Sequence, residues 1–160
     1  MRHVMSVLVQ NKPGVLGRVT GLISRRGFNI DSLSVAPTED ATKSRITAVV
    51  EADDVAYEQI TKQLNKLVSV HKIKDLTDAQ AIERELVLFK VNADPEHRGE
   101  VIEIANVFRA KIVDVGKHSL TIEATGDGSK LSGMEELLRS YGIREITRTG
   151  VTAMSRSSKE

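Results

Sequence analysis

The chain of 160 residues contains no cysteine and no tryptophan. Without cysteine there is no disulfide, no thiolate metal site and no cysteine nucleophile. The composition suits a reducing compartment. Two tyrosines and three phenylalanines are the whole aromatic complement, too few for a base-stacking surface on single-stranded nucleic acid. Charge of one sign is also missing: 23 Lys and Arg face 22 Asp and Glu, for a net charge of +1. No electrostatic footprint for nucleic acid or an acidic membrane follows from that balance. No apolar run reaches the length of a membrane span. Arg2 and His3 lead straight into strand-like sequence, which is not a signal-peptide layout. The expected setting is the cytoplasm, with neither nucleic acid nor membrane as a partner.

What is present is a regular alternation of two periodicities. Residues 4–10 are mostly β-branched and apolar and read as a strand. In residues 15–26, Val15, Leu16, Val19, Leu22 and Ile23 recur at helical spacing, and Gly27 is a natural stop. Residues 28–36 read as a strand that Pro37 ends. Residues 45–52 form a third strand with Ile46, Ala48 and Val50 on one face. Asp53-Asp54 then offers an N-cap to a helix carrying Ala56, Ile60, Leu64 and Leu67, and residues 68–76 make a fourth strand. The order is βαββαβ, the ferredoxin-like split arrangement with two helices on one face of an antiparallel sheet.

The pattern then repeats. Val87, Phe89 and Val91 alternate along a strand. Asp94-Pro95 reads as a helix start, with Asp as N-cap and Pro at the first helical position. Val101, Ile104, Ala105 and Phe108 form that helix's apolar face. Strands over 111–115 and 119–124 meet near Gly116, Leu131, Met134, Leu137 and Leu138 mark a helix, and 143–146 is a last short strand. The fold class is α+β, with two tandem βαββαβ domains over residues 1–77 and 83–160. Residues 78–82 form the linker and 150–160 a fraying tail.

No catalytic residue or metal site is assigned. His3, His71, His97 and His118 lack a paired metal spacing and read as surface or edge residues. Ser32, Ser34 and Ser44 lack a nucleophile elbow. Thr125-Gly-Asp-Gly-Ser-Lys130 misses the Walker spacing and reads as a turn before a helix. Gly17 and Gly21 read as positions of close helix packing. Two features stand out. The loop Asn11-Lys-Pro13-Gly14 opens directly onto a helix, whose first N–H groups could take a carboxylate. Asn29 is a polar residue at an apolar strand. From spacing alone, an ordinary strand-to-helix turn is the favoured reading of the loop, and a satisfied edge-strand polar residue accounts for Asn29 at least as well as a ligand contact.

Longer motifs carry a resemblance. Asn11-Lys-Pro-Gly14-Val-Leu-Gly-Arg18-Val19, Arg26-Gly-Phe-Asn-Ile-Asp-Ser-Leu33 and Val35-Ala-Pro-Thr-Glu-Asp40 are among the residues that carry it. In the second half Glu83-Arg-Glu-Leu-Val-Leu-Phe-Lys-Val91, Phe108-Arg-Ala-Lys-Ile-Val-Asp114 and Tyr141-Gly-Ile-Arg-Glu-Ile146 add to it. Over nearly its whole length the chain resembles the small regulatory subunits of acetohydroxyacid synthase (acetolactate synthase). The resemblance implies an N-terminal ACT domain, a C-terminal small-subunit domain and no catalysis by this chain. It implies a catalytic partner that uses thiamine diphosphate, Mg2+ and FAD, is raised in activity by the small subunit, and becomes sensitive to feedback inhibition by valine, with leucine and isoleucine graded behind it. The implied effector site lies between two paired ACT domains. Asn11, Gly14, Val15 and Leu16 come from one copy, and Asn29 and Ile30 from the other. Position 17 is Gly where many members carry Ser.

Three other readings stay open at the level of residues: a free-standing amino-acid sensor for another enzyme or a transcription factor, an RNA-binding module of the same strand order, and a small enzyme. The scarcity of aromatics weighs against the second, and the lack of a catalytic constellation against the third.

Overall fold

The computed structural model describes residues 1–78 and 80–159, and the chain divides into two compact units. The first comprises residues 1–82 together with 151–160. Its elements are β1 (Arg2–Gln10), α1 (Val15–Arg25), β2 (Asn29–Pro37), β3 (Lys43–Glu51), α2 (Asp54–Asn65) and β4 (Val70–Asp75). The sheet is antiparallel in the order β2-β3-β1-β4. Alternation along the strands sends Met5, Val7 and Val9 of β1 and Ile46, Ala48 and Val50 of β3 to one side. There they pack against Val15, Val19 and Ile23 of α1 and Tyr57, Ile60 and Leu64 of α2. The Asp53 carboxylate accepts the Ala56 N–H at 2.7 Å and caps α2. Gly27, at φ +77°, ends the turn after α1 in the left-handed conformation that a side chain disfavours. The β2–β3 turn is held by Asp40, whose carboxylate accepts the Thr42 hydroxyl and N–H at 2.6 and 3.0 Å. Those bonds hold the Asp40 carboxyl below its usual range.

His3 shares the alternation of Met5, Val7 and Val9. It is therefore buried rather than at the surface, with its ring stacked on Tyr57 at 4.0 Å between centroids. Burial, followed by the nearby Asp75 carboxylate, pushes the Tyr57 phenol above its usual range.

The tail differs from expectation. Residues Thr152–Ser155 form a further strand, β9, and Ala153 is buried with Val4, Val49 and Leu76 on the sheet face away from the helices. The Val151 N–H donates to Ser32 Oγ at 2.7 Å and the Arg156 N–H to the Gln80 carbonyl at 2.9 Å. Residues 151–160, assigned above to the second domain, thus belong with the first. All the partners of β9 are remote in sequence, and four residues carry too little local pattern to reveal them. The expected linker is also shorter than 78–82, because the next strand already begins at Ala81. Its Ala79 lies outside the described residues.

The second unit, residues 83–150, repeats the order with β5 (Ala81–Asn92), α3 (Arg98–Val107), β6 (Lys111–Val115), β7 (Ser119–Gly126), α4 (Gly128–Arg139) and β8 (Ile143–Arg148). Its strands run β6-β7-β5-β8. Val87, Phe89 and Val91 of β5 and Leu120, Ile122 and Ala124 of β7 pack against Val101, Ala105, Leu131, Met134 and Leu138. Asp127 caps α4 by accepting the Lys130 N–H at 2.9 Å.

Helix α3 starts three residues later than Asp94-Pro95 predicts, at Arg98. The Asp94 carbonyl accepts both the His97 and Arg98 N–H groups at 2.9 Å, which makes a separate turn. The Asp94 carboxylate goes to His118 Nδ1 at 3.1 Å instead of capping. Arg98 closes the other side of that turn by donating to the carbonyls of Ala93, Gly116 and Lys117.

Gly142 precedes β8 at φ +96°, and a Cβ there would collide with Asn92 Nδ2. The Asn92 side chain cannot swing away freely, since its amide oxygen accepts from Arg144 Nε, and the backbone there is fixed as well, the Asn92 main-chain N–H donating to the Gly142 carbonyl. Gly142→Ala is therefore expected to destabilise the protein by about 2–4 kcal/mol, read as a lowered urea midpoint at unchanged slope.

Candidate effector site

The loop between β1 and α1 is fixed by three hydrogen bonds. The Gln10 N–H donates to the Ser69 carbonyl at 2.9 Å and the Asn11 N–H to the Thr42 carbonyl at 2.8 Å. The Asn11 side-chain amide donates to the Ala41 carbonyl at 3.0 Å, so this residue ties the loop to the β2–β3 turn. Pro13 then leads into Gly14, the N-cap of α1, which stands at φ +85° and supplies no side-chain cap. The first turn carries no acidic residue.

The consequence is an open helix N-terminus. The Val15 N–H reaches the Lys12 carbonyl in a long bond of 3.4 Å. The N–H groups of Gly14, Leu16 and Gly17 have no hydrogen-bond partner among the described residues. Unpaired amides at the positive end of a helix dipole favour an anion. Gly17 was not among the predicted site residues, although the unpaired third amide of any first helical turn is signal enough.

The remaining predicted residues fall in different places. The Val15 side chain is buried in the core with Val19 and Ile23, so only its backbone faces the loop. Leu16 is 37% exposed beside the open amides. Asn29 is the exposed first residue of β2, and its amide donates to the Asp31 carboxylate. Ile30 is partly buried and packs against the first unit's core. Within one copy the Gly14 loop and Asn29 sit at opposite ends of α1, whose 11 residues span roughly 16 Å. One chain does not bring the two halves together. Strand β2, however, is an edge of its sheet, with a free row of backbone groups for another strand.

Gly17 and Gly21 do not serve close packing: a Cβ at either would meet nothing within 4 Å. Gly17→Ala is expected to raise stability by about 0.5–1 kcal/mol, because it removes backbone freedom from the unfolded chain without a clash. A thermal melt of the variant checks this. Among the described residues, no group of three or more His, Asp or Glu side chains could hold a metal ion, and no helix is long and apolar enough to cross a membrane.

The first βαββαβ unit, opening on a glycine-started helix with free amides, has the architecture of an ACT-type module. Comparison with known proteins narrows this. Residues 5–72 match the family of AHAS small subunit-like ACT domains, and residues 84–157 match the small subunit of acetolactate synthase. The probable acetolactate synthase small subunit of Archaeoglobus fulgidus is 54% identical over 160 residues, covering 100% of both chains. The acetolactate synthase small subunit of Mycolicibacterium smegmatis is 54% identical over 157 residues, covering 98% of this chain and 92% of its own. The crystal structure of the small subunit from Thermotoga maritima superposes with a TM-score of 0.89 at 42% identity, over 98% of each chain. The chain belongs to the acetolactate synthase small-subunit family, and its role is regulatory.

Proposed function

We propose that this chain binds the catalytic subunit of acetohydroxyacid synthase, raises its activity and makes it sensitive to inhibition by valine. The observation that carries the effector part is the open N-terminus of α1, with the Gly14, Leu16 and Gly17 amides unpaired and no acidic residue in the first turn. In this reading the valine carboxylate is held by those amides. The Leu16 side chain and, from a second copy paired along β2, Asn29 and Ile30 meet the rest of the amino acid. Asn11 orders the loop rather than touching the ligand. Pockets of this kind separate ligands differing by a methylene by only about 1–3 kcal/mol, so leucine and isoleucine act more weakly and are not excluded.

A ligand that bridges two copies stabilises their pairing by about 2.7 kcal/mol at a concentration a hundred times its dissociation constant. Inhibition then needs the paired state to favour a less active form of the catalytic subunit, with a coupling of about 1–3 kcal/mol. The chemistry stays with that partner, which carries thiamine diphosphate, Mg2+ and FAD, and the complex works in the cytoplasm.

The test is an assay of the cognate catalytic subunit with and without this chain across a valine titration. Activation together with saturable inhibition supports the reading. Activation without inhibition removes the valine site. No effect on the catalytic subunit removes the partner and leaves a free-standing sensor.

A further inference from the structure

The sheet of the first unit has a second functional-looking face, opposite the helices and away from the Gly14 loop. The register pairs Arg45 of β3 with Leu8 on one side and Ala36 on the other, and Thr47 with Ser6 and Ser34. Arg45 therefore sits on an interior strand, flanked by backbone on both sides. It is partly buried, yet its side chain makes no hydrogen bond and no ion pair among the described residues. Its guanidinium donors are therefore available to an acceptor from outside the chain.

A cavity of about 350 Å3 opens beside it. Ser34, Thr47 and Thr152 line this cavity, and none of their hydroxyls makes a hydrogen bond among the described residues. Ala36 and Met154 supply an apolar wall. The tail strand β9 thus forms one side of the cavity through Thr152 and Met154. Thr38 is occupied elsewhere, bonding to the Asp40 and Lys43 carbonyls. Glu39 is at the exposed rim and makes no ion pair with Arg45.

We propose that this cavity is a binding site for a small organic monocarboxylate. The Arg45 guanidinium presents two parallel N–H groups in the geometry a carboxylate takes up. Three free hydroxyls stand ready to donate to the remaining lone pairs. The Ala36 and Met154 wall accepts a short carbon body, and the volume lies at the small end of ligand pockets. One cation with one carboxylate at the rim leaves little net charge, which favours a singly charged ligand over a dianion such as phosphate. The site is separate from the α1 loop and does not rest on the valine reading.

The experiment is an NMR titration of the full chain with butyrate, and separately with inorganic phosphate. It follows the Met154 methyl and the Thr47 and Thr152 amides. Butyrate is expected to shift these signals saturably. Arg45→Gln is expected to weaken binding at least about tenfold while the rest of the spectrum stays in place. Gly14→Asp is expected to leave this titration unchanged. Should Arg45→Gln disturb the fold, Thr47→Val removes one hydroxyl at nearly constant volume and is expected to weaken butyrate binding severalfold. Phosphate binding as tightly as butyrate would overturn the monocarboxylate assignment. Shifts that do not saturate, or that survive Arg45→Gln, would overturn the site, and shifts abolished by Gly14→Asp would move the carboxylate to α1.

Discussion

Replacing Gly14 with aspartate is expected to abolish valine inhibition of the assembled enzyme while leaving activation within about twofold of the parent chain. The new carboxylate would sit at the N-cap of α1, where it can accept from the amides that are unpaired in this structure. It would therefore occupy the anion site from within, and its charge would repel a ligand carboxylate. The fold itself loses little. Gly14 stands at φ +85° and a Cβ there meets nothing within 4 Å. Aspartate is among the residues that enter the left-handed region most readily, and its capping bond, worth about 1 kcal/mol, offsets a strain of about 1–2 kcal/mol. A valine titration of the reconstituted enzyme reads the effect as at least a hundredfold higher half-inhibiting concentration, about 2.7 kcal/mol. Gly14→Asn, similar in shape but neutral, should fall between the two, since it fills the amides without the repulsion. Inhibition at the parental valine concentration in Gly14→Asp would rule out this end of α1 as the carboxylate site.

The parts of the fold that were legible in the sequence are those in which one residue's neighbours in the chain already state its environment. Met5, Val7 and Val9 alternate, and so do Ile46, Ala48 and Val50, and all six are core residues. Asp53 precedes its helix and caps it. What stayed hidden depends on remote partners. The strand β9 is four residues long with Ala153 and Met154 as its apolar residues, and it is Val4, Val49 and Leu76 that bury Ala153. Asp94 looks like a cap until His118, remote in sequence in the turn between β6 and β7, takes its carboxylate. His3 reads as a polar residue at a chain end, and only the register of β1 and the ring of Tyr57 make it a core residue.

The candidate effector site shows the same division. The loop and its glycine were readable because helix starts have local rules. The direction of the Val15 side chain was readable too, since Val15, Val19 and Ile23 are spaced by four and lie on one face. A residue on that face cannot also line a pocket outside it. The Arg45 cavity could not be read at all, because strand alternation places Arg45 on the outer face without saying that β9 returns to wall it in.

The largest expected loss of stability is at Phe89, the largest of the fully buried side chains. It lies on β5 at the centre of the second sheet, paired with Ile122 of β7 and Ile146 of β8. Phe89→Ala is expected to cost about 3–5 kcal/mol, from the transfer free energy of the ring and the cavity it leaves. A unit the size of Glu83–Gly150 has about 3–10 kcal/mol to lose, so this one change approaches its whole stability. Hydrogen exchange along β5 and β7 should show it as lost amide protection, and urea unfolding as an early transition. Phe89→Leu keeps most of the volume and should cost about 1–2 kcal/mol. Leu137→Ala on α4 is the counterpart: the side chain is apolar but 50% exposed, and its loss should cost less than about 1 kcal/mol. A Phe89→Ala protein as stable as Leu137→Ala would mean that the core of the second unit is not built around β5. The graded series of alanine, leucine and parent at position 89 then separates loss of packing from loss of the strand itself. Only packing scales with the volume removed.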